Sequence, residues 1–150
     1  MYRSVLVPLD GSTFSEEVLL DVTQLGARWD ADYTLMQVIE PGRITSVPTE
    51  ALWLPIDDSS VVEARAQAAT YLGQLADRLG KRDLKVETVV AVEPHTASAI
   101  LDFAEHSDID LIALTTHGRG GLGKLVLGSV ADKIMRGASM PVLLYRPRGA

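Results

Sequence analysis

The sequence lacks several features that would indicate particular functions. It contains no cysteine, which excludes disulfides, thiolate metal sites and a cysteine nucleophile. No apolar run reaches the roughly 18 residues of a membrane span. The chain enters a predicted strand almost at once, so we expect no signal peptide. Basic residues are also few: 14 Lys and Arg against 20 Asp and Glu give a formal net charge of −6. This charge argues against nonspecific nucleic-acid binding. We expect a cytoplasmic protein.

Short apolar runs alternate with helical periodicity along the whole chain. The five predicted strands are Val5–Pro8, Tyr33–Ile39, Val86–Val92, Leu111–Leu114 and Val142–Tyr145. Strands that alternate with helices need crossover connections, which predicts an α/β fold with a mostly parallel sheet and helices on both faces. The charged Glu87 suits an edge position for the third strand. We expect one domain over residues 1–150. The pattern alone does not separate a Rossmann-like from a flavodoxin-like strand order.

Helix starts are predicted from capping residues. Thr13 with Glu16 and Ser60 with Glu63 have the spacing of capping boxes, and Thr96 opens the third predicted helix. The segment from residue 41 to residue 59 has three prolines and no clear periodicity. It is predicted to be a loop, which either covers a ligand or a partner or simply lies on the surface.

A glycine-rich segment follows the fourth predicted strand and precedes the last predicted helix. Glycines there would let backbone N–H groups approach a phosphate, and the helix N-terminus adds partial positive charge. Arg119 and Lys124 add full positive charge. A dinucleotide fingerprint starts at Gly118, but it follows a late strand and no acidic residue follows Asp132. A P-loop pattern also starts there, but Leu125 stands where Ser or Thr should bind magnesium.

A third pattern in this segment has Gly118, nine further residues, and then Gly128-Ser129. It resembles the nucleotide loop of the universal stress protein family, G-x-x-G-x9-G-[ST]. The segments 5–12 and 140–144 are also similar to that family, so the resemblance covers nearly the whole chain. The chain departs from the motif at Thr115, which occupies the place of the first glycine.

The resemblance implies the strand order 3-2-1-4-5. The crevice at the switch point then lies between the first and fourth strands, where Asp10 and Gly118 leave the sheet. It also implies binding of ATP, or of AMP or ADP, with Mg²⁺ or Mn²⁺. The contacts expected from the resemblance are Pro8, Asp10, Val38, Thr115, Gly118, Arg119, Gly128, Ser129 and Val130.

Each of the main contacts has a structural alternative. Asp10 would lie near the base and ribose, but it could only hold a turn. Val38 would read the adenine edge through its backbone, or it could only pack in the core. Ser129 would contact phosphate, and it could equally be the helix N-cap with Asp132 completing a box.

The expected role is a nucleotide-dependent stress or signalling module. One alternative is a slow ATP hydrolase or phosphotransferase, although His117 has no matched acidic partner in the sequence. The other is a dimeric interaction module without nucleotide. We also expect a homodimer through the fifth strand, at Val142, Leu143 and Leu144, because an apolar edge strand invites pairing with another chain.

Overall fold

The sheet has five parallel strands in a computed structural model that describes residues 2–26, 30–41, 58–116 and 127–146. The strands are β1 (Ser4–Pro8), β2 (Asp32–Ile39), β3 (Lys85–Val92), β4 (Leu111–Thr115) and β5 (Val142–Tyr145). Their spatial order is β3-β2-β1-β4-β5. This confirms the expected order 3-2-1-4-5 and the edge positions of the third and fifth strands.

Four helices cover the two faces of this sheet. They are α1 (Thr13–Gly26), α2 (Asp58–Gly80), α3 (Thr96–His106) and α4 (Ser129–Gly137). Successive side chains of a strand point to opposite faces. Val7 therefore packs with α1 and α2, and Leu6 packs with α3 and α4. Among the described residues, no helix is long and apolar enough to cross a membrane.

Burial falls from the centre of the sheet to its edges. Every residue of β4 is buried, and the middle three residues of β1 are buried, because helices cover both of their faces. β3 and β5 contain no buried residue. The apolar stripe of α2 is buried at Ala68, Leu72, Leu75 and Leu79. The two edges are therefore the parts of the sheet with apolar surface left to cover.

Three predicted helix starts are shifted. The cap of α1 is Ser12, whose Oγ accepts a hydrogen bond from the Ser15 amide at 3.2 Å, and Thr13 is already helical. α2 begins at Asp58, so Ser60 lies inside the helix and the last two residues of the predicted loop are helical. Residues 42–57 of that loop lie outside the described residues. The N-cap of α4 is Gly128, and Ser129 is its first helical residue.

Candidate functional site

The candidate site is the carboxyl edge of the sheet where β1 and β4 lie side by side. β1 pairs with β2 on one side and with β4 on the other. The chain leaves β1 toward α1 on one face, and it leaves β4 toward α4 on the other face. This reversal of direction opens a crevice at the strand ends, which is where open α/β sheets bind ligands. Pro8, the last residue of β1, is half-buried at this edge.

Asp10 is fixed by a tight turn between β1 and α1. Its Oδ1 accepts hydrogen bonds from the Ser12 amide at 3.0 Å and the Ser12 hydroxyl at 2.6 Å. Gly11 between them has φ of 81°, in the left-handed region that favours glycine. Ser15 adds a hydrogen bond from its hydroxyl to the Ser12 carbonyl at 2.8 Å. The alternative role of Asp10 in holding a turn is therefore present, and this turn follows the carboxyl end of β1 beside the crevice.

Val38 presents main-chain groups to the crevice. The N–H and C=O of a residue in a strand point to the same neighbouring strand, and this direction alternates along the chain. The Met36 carbonyl accepts from the Leu9 amide at 2.8 Å, so Met36 faces β1 and Val38 faces the same way. The paired register of β1 ends at Pro8 opposite Met36. The main chain of Val38 therefore faces the space beyond the end of β1, while its side chain packs beside α3 and α4.

A pair of hydrogen bonds holds the two ends of the glycine-rich segment together. The Thr116 amide donates to the Tyr145 carbonyl at 2.8 Å, and the Gly128 amide donates to the Thr116 carbonyl at 2.8 Å. Thr115, just before, is 8% exposed and ends β4. Gly128 is thus attached to the end of β4, and its amide already has a protein acceptor. Gly118 and Arg119 lie outside the described residues, so their predicted contacts stay predictions.

The N-terminus of α4 has no side-chain cap. Gly128 is the N-cap and makes no side-chain hydrogen bond, and the first amide bonded within the helix is that of Asp132 to the Gly128 carbonyl at 2.9 Å. The amides of Ser129, Val130 and Ala131 precede it and have no acceptor within the helix. These N–H groups and the helix dipole give this end the chemistry that would attract an anion.

The acidic residue in the first turn of α4 is already paired. Both Asp132 oxygens accept from Arg136 Nε at 3.0 Å, and this carboxylate raises the pKa of the Arg136 guanidinium. The predicted box between Ser129 and Asp132 is absent because Ser129 is one residue inside the helix. Val130 packs against the core cluster but is only partly buried, while Ala131 and Ile134 are buried.

The N-terminus of α3 is different, because the protein supplies its own carboxylate there. His95 is the N-cap and makes no side-chain capping bond. The Thr96 hydroxyl donates to Glu40 Oε1 at 2.5 Å across 56 residues of sequence. Glu40 follows the end of β2, so a strand end provides the negative charge that complements the dipole of α3. The sequence analysis missed Glu40.

A buried hydroxyl lies behind the turn that contains Asp10. The Tyr71 hydroxyl of α2 is buried without a hydrogen-bond partner of ordinary geometry, next to Glu16 and Ser15. Burial, followed by the charge of Glu16, raises the pKa of Tyr71 well above its ordinary value. Tyr71 is therefore neutral at physiological pH and is no candidate for a base. Among the described residues, no cluster of three His, Asp or Glu side chains could hold a metal ion.

Comparison with known proteins identifies the family and the fold. The sequence profile of the universal stress protein family matches residues 1–146. Universal stress protein MJ0531 of Methanocaldococcus jannaschii is 29% identical over 146 residues, which is 97% of this chain and 83% of that protein. The solved structure of the hypothetical protein MJ0577 superposes with a TM-score of 0.84 at 23% identity, covering 100% of this chain and 99% of that chain.

Two further structures of this fold were solved with nucleotides bound. A universal stress protein in complex with cAMP superposes with a TM-score of 0.69 at 19% identity, over 97% of this chain and 98% of that one. One from Archaeoglobus fulgidus, in complex with dAMP, superposes with a TM-score of 0.63 at 19% identity, over 95% of this chain and 97% of that one. At these identities the likeness shows the shared fold.

Proposed function

Because the chain belongs to the universal stress protein family, we propose that it binds ATP or a related adenine nucleotide at the carboxyl edge of β1 and β4. We propose that it acts in the cytoplasm, in stress response or signalling. The observation that carries this proposal is the N-terminus of α4, which has no side-chain cap and lies at the switch point of the sheet. Two structural neighbours with bound cAMP and dAMP support the choice of an adenine nucleotide.

Different described residues would contact the base, the ribose and the phosphates of the nucleotide. The main chain of Val38 offers one donor and one acceptor to the edge of the adenine. Asp10 and Pro8 lie at the adjacent strand end, where the base and ribose would sit. The phosphates would accept from the amides of Ser129 and Val130 at the start of α4. Thr115 would lie beside the phosphates. Gly118 and Arg119, which lie outside the described residues, would make the remaining phosphate contacts.

A divalent cation has a clear electrostatic reason to accompany the phosphates. The chain carries a formal net charge of −6, so ATP brings negative charge to a negative protein. Mg²⁺ usually binds through substrate phosphates with few protein ligands. Asp10 is the described carboxylate at this edge that could contact it directly or through water. We propose Mg²⁺ or Mn²⁺ as the partner of the nucleotide.

Two measurements test nucleotide binding. Protein purified without added ligand is denatured, and the released nucleotide is identified by chromatography. Thermal melts are then compared with and without Mg-ATP, with GTP as the matched control for the base. A ligand at a hundredfold excess over Kd stabilises the native state by about 2.7 kcal/mol. We expect a clear upward shift with ATP and a smaller one with GTP. No shift with ATP, ADP or AMP, and no released nucleotide, would reject the proposal.

Turnover is expected to be slow or absent, which keeps the enzyme alternative secondary. Phosphoryl transfer needs positioned cations and an oriented nucleophile. The described part of the site offers Asp10, paired serines and backbone amides, and a buried neutral tyrosine behind them. Phosphate release above about 1 per second, an ordinary enzymatic rate, would favour the hydrolase. ATP binding would reject the third candidate, a nucleotide-free interaction module.

We also propose a homodimer through β5. Val142, Leu143 and Leu144 are all half-buried in a strand at the sheet edge. The Tyr145 carbonyl accepts from β4, so Leu143 also faces β4, and the main chains of Val142 and Leu144 face outward. Val142→Pro should therefore remove an outer N–H and leave the β4 pairing intact. Sedimentation equilibrium at micromolar concentration should give a dimer for wild type and a monomer for this variant; a wild-type monomer would reject the dimer.

A further inference from the structure

At the outer strand β3, on the side of the sheet opposite β5, there is a groove that the nucleotide proposal does not use. α3 packs over β2 and against α4, so the described residues cover β3 only partly on that face. The space between β3 and α3 is a cavity of about 430 Å³, within the range of ligand pockets. Its lining residues include Met36, Val89, Ala91, Glu93, Asp102 and Phe103. The groove lies on the β3 side of β2, away from the crevice between β1 and β4.

The free edge of β3 differs between its two halves. The first half is protected by charge, since Lys85 pairs with Asp32 at 3.4 Å and Glu87 is exposed. The second half, residues 88–92, reads Thr-Val-Val-Ala-Val and has no charged residue. The Ile39 carbonyl accepts from the Glu93 amide, so odd-numbered residues of β3 face β2 and Thr88, Val90 and Val92 turn their main chains outward. These groups can pair with an added strand.

The groove beside this edge combines an apolar floor with an acidic rim. Val89, Phe103 and the buried Met36 give apolar surface. Glu93 and Asp102 are exposed on the rim, and no Lys or Arg lines the described part of the groove. An occupant with a long aliphatic stem and a positive end matches both features. Phosphate groups do not match, because both rim charges are negative.

We propose that this groove binds an extended basic peptide that adds to the edge of β3. Its main chain would pair with Thr88, Val90 and Val92. An Arg or Lys side chain would lie along the floor and place its charge between Glu93 and Asp102. In such β-augmentation, main-chain bonds give affinity and alternate side chains give specificity. A second copy of this chain is the weaker candidate, because it would bring another net-negative protein to an acidic rim.

The test uses synthetic peptides of alternating pattern, because the natural partner is unidentified. The probe is acetyl-Thr-Val-Arg-Val-Arg-Val-Thr-amide. One control replaces both arginines with glutamate, and a second carries N-methyl groups on the strand edge that would pair with β3. Binding is measured by calorimetry and located by NMR shifts at Val89, Ala91 and Phe103. We expect the arginine peptide to bind at least tenfold more tightly than either control.

Protein variants separate the charge from the strand edge. The double variant Glu93→Lys with Asp102→Lys should lower the affinity for the arginine peptide at least tenfold and raise the affinity for the glutamate peptide. Asp77→Lys, on the exposed face of α2, is the matched control and should change neither peptide. Thr88→Pro removes one outward N–H from an exposed position and should also weaken binding. Mg-ATP should leave peptide affinity unchanged, because the two sites are separate.

Three results would overturn the proposal. The first is no binding of the arginine peptide up to about a millimolar. The second is equal binding of the arginine and glutamate peptides, which would make the rim charge irrelevant. The third is a change of oligomeric state in the double lysine variant, which would identify a second copy of the chain as the occupant. If circular dichroism shows that Thr88→Pro is unfolded, the N-methyl peptide alone tests pairing with the edge of β3.

Discussion

The starts of α3 and α4 lie on the same face of the sheet and at the same edge, yet they are completed differently. At α3 the protein provides Glu40, whose carboxylate accepts from the Thr96 hydroxyl. At α4 the N-cap is Gly128, which has no side chain to cap the helix. The start of α1 differs from both, since the Ser12 hydroxyl accepts directly from the Ser15 amide. Neither N-cap supplies a side-chain capping bond, so the two ends differ in the carboxylate that a distant strand end brings to α3.

The largest effect is expected from converting the start of α4 into one like that of α3. Ser129→Asp places a carboxylate at the first turn, where it would compete with phosphate for the same amides. We expect ATP affinity to fall at least tenfold, about 1.4 kcal/mol. The free protein should gain about 0.3–1 kcal/mol from the helix dipole. Calorimetry and thermal melts measure the two opposite changes.

Ser98→Asp is the matched control for this variant. Ser98 is exposed in the first turn of α3, where Glu40 already supplies negative charge. ATP affinity should stay at the wild-type value in this variant. An equal loss of affinity in both variants would mean that general charge repulsion, and not the end of α4, controls binding.

The next effect concerns the start of α1. Ser12→Ala removes the hydroxyl that accepts from the Ser15 amide and donates to Asp10 Oδ1. We expect a loss of about 1 kcal/mol in the free energy of unfolding, the usual cost of deleting an N-cap. Thr13→Ala should cost much less, because Thr13 is exposed and already helical. Urea denaturation decides between them, and a larger loss at Thr13 would restore the cap predicted from the sequence.

A smaller effect is expected at the start of α3. Glu40→Gln keeps an oxygen that can accept from Thr96 but removes the charge. We expect destabilisation of about 0.3–1 kcal/mol, which is reduced by salt. Glu105→Gln, near the end of the same helix, should be neutral or slightly stabilising, because a negative charge there opposes the dipole. If urea denaturation shows the same loss of stability for Glu40→Gln and Glu105→Gln, the helix dipole is not the cause.

The smallest effect at neutral pH is expected at Tyr71, behind the start of α1. Tyr71→Phe removes a buried hydroxyl without a partner, so the free energy of unfolding should change by less than about 0.5 kcal/mol. Its pKa is raised in the folded state, so the unfolded chain releases this proton first as pH rises. Wild-type stability should therefore fall above about pH 10, and the variant should lose less. If the free energy of unfolding falls equally with pH in both proteins, the Tyr71 hydroxyl is exposed to solvent.

The strands were predictable because burial on both faces leaves apolar runs that can be read locally. Helix starts were less predictable, because adjacent residues such as Ser12 and Thr13 are equally good caps. The choice between them is made by the turn at Gly11, with φ of 81°. At α4, the hydrogen bond from Gly128 to Thr116 fixes Gly128 outside the helix and Ser129 inside it.

The features that could not be predicted from the sequence depend on contacts between distant segments. Glu40 meets Thr96 across 56 residues, and nothing in the sequence near either residue indicates the pair. The groove at β3 could not be read from its apolar sequence, because the same pattern fits a covered strand. Among the described residues, the packing of α3 over β2 leaves β3 only partly covered. By contrast, Asp10, Thr115 and Gly128 were placed at one edge from the family motif and the strand order.

The orientation of Val38 has a consequence for how the specificity of this site can change. Every amino acid except proline has the same main-chain donor and acceptor. If the base is read by those groups, replacing the side chain at this position alters packing but leaves the reading intact. Base preference is then set by the backbone of β2 and by the position at which β1 ends. A point mutation at Val38 would change this preference little. Changes in ligand choice would arise instead at side chains beside the nucleotide, such as that of Asp10 near the ribose and that of Ser129 near the phosphates.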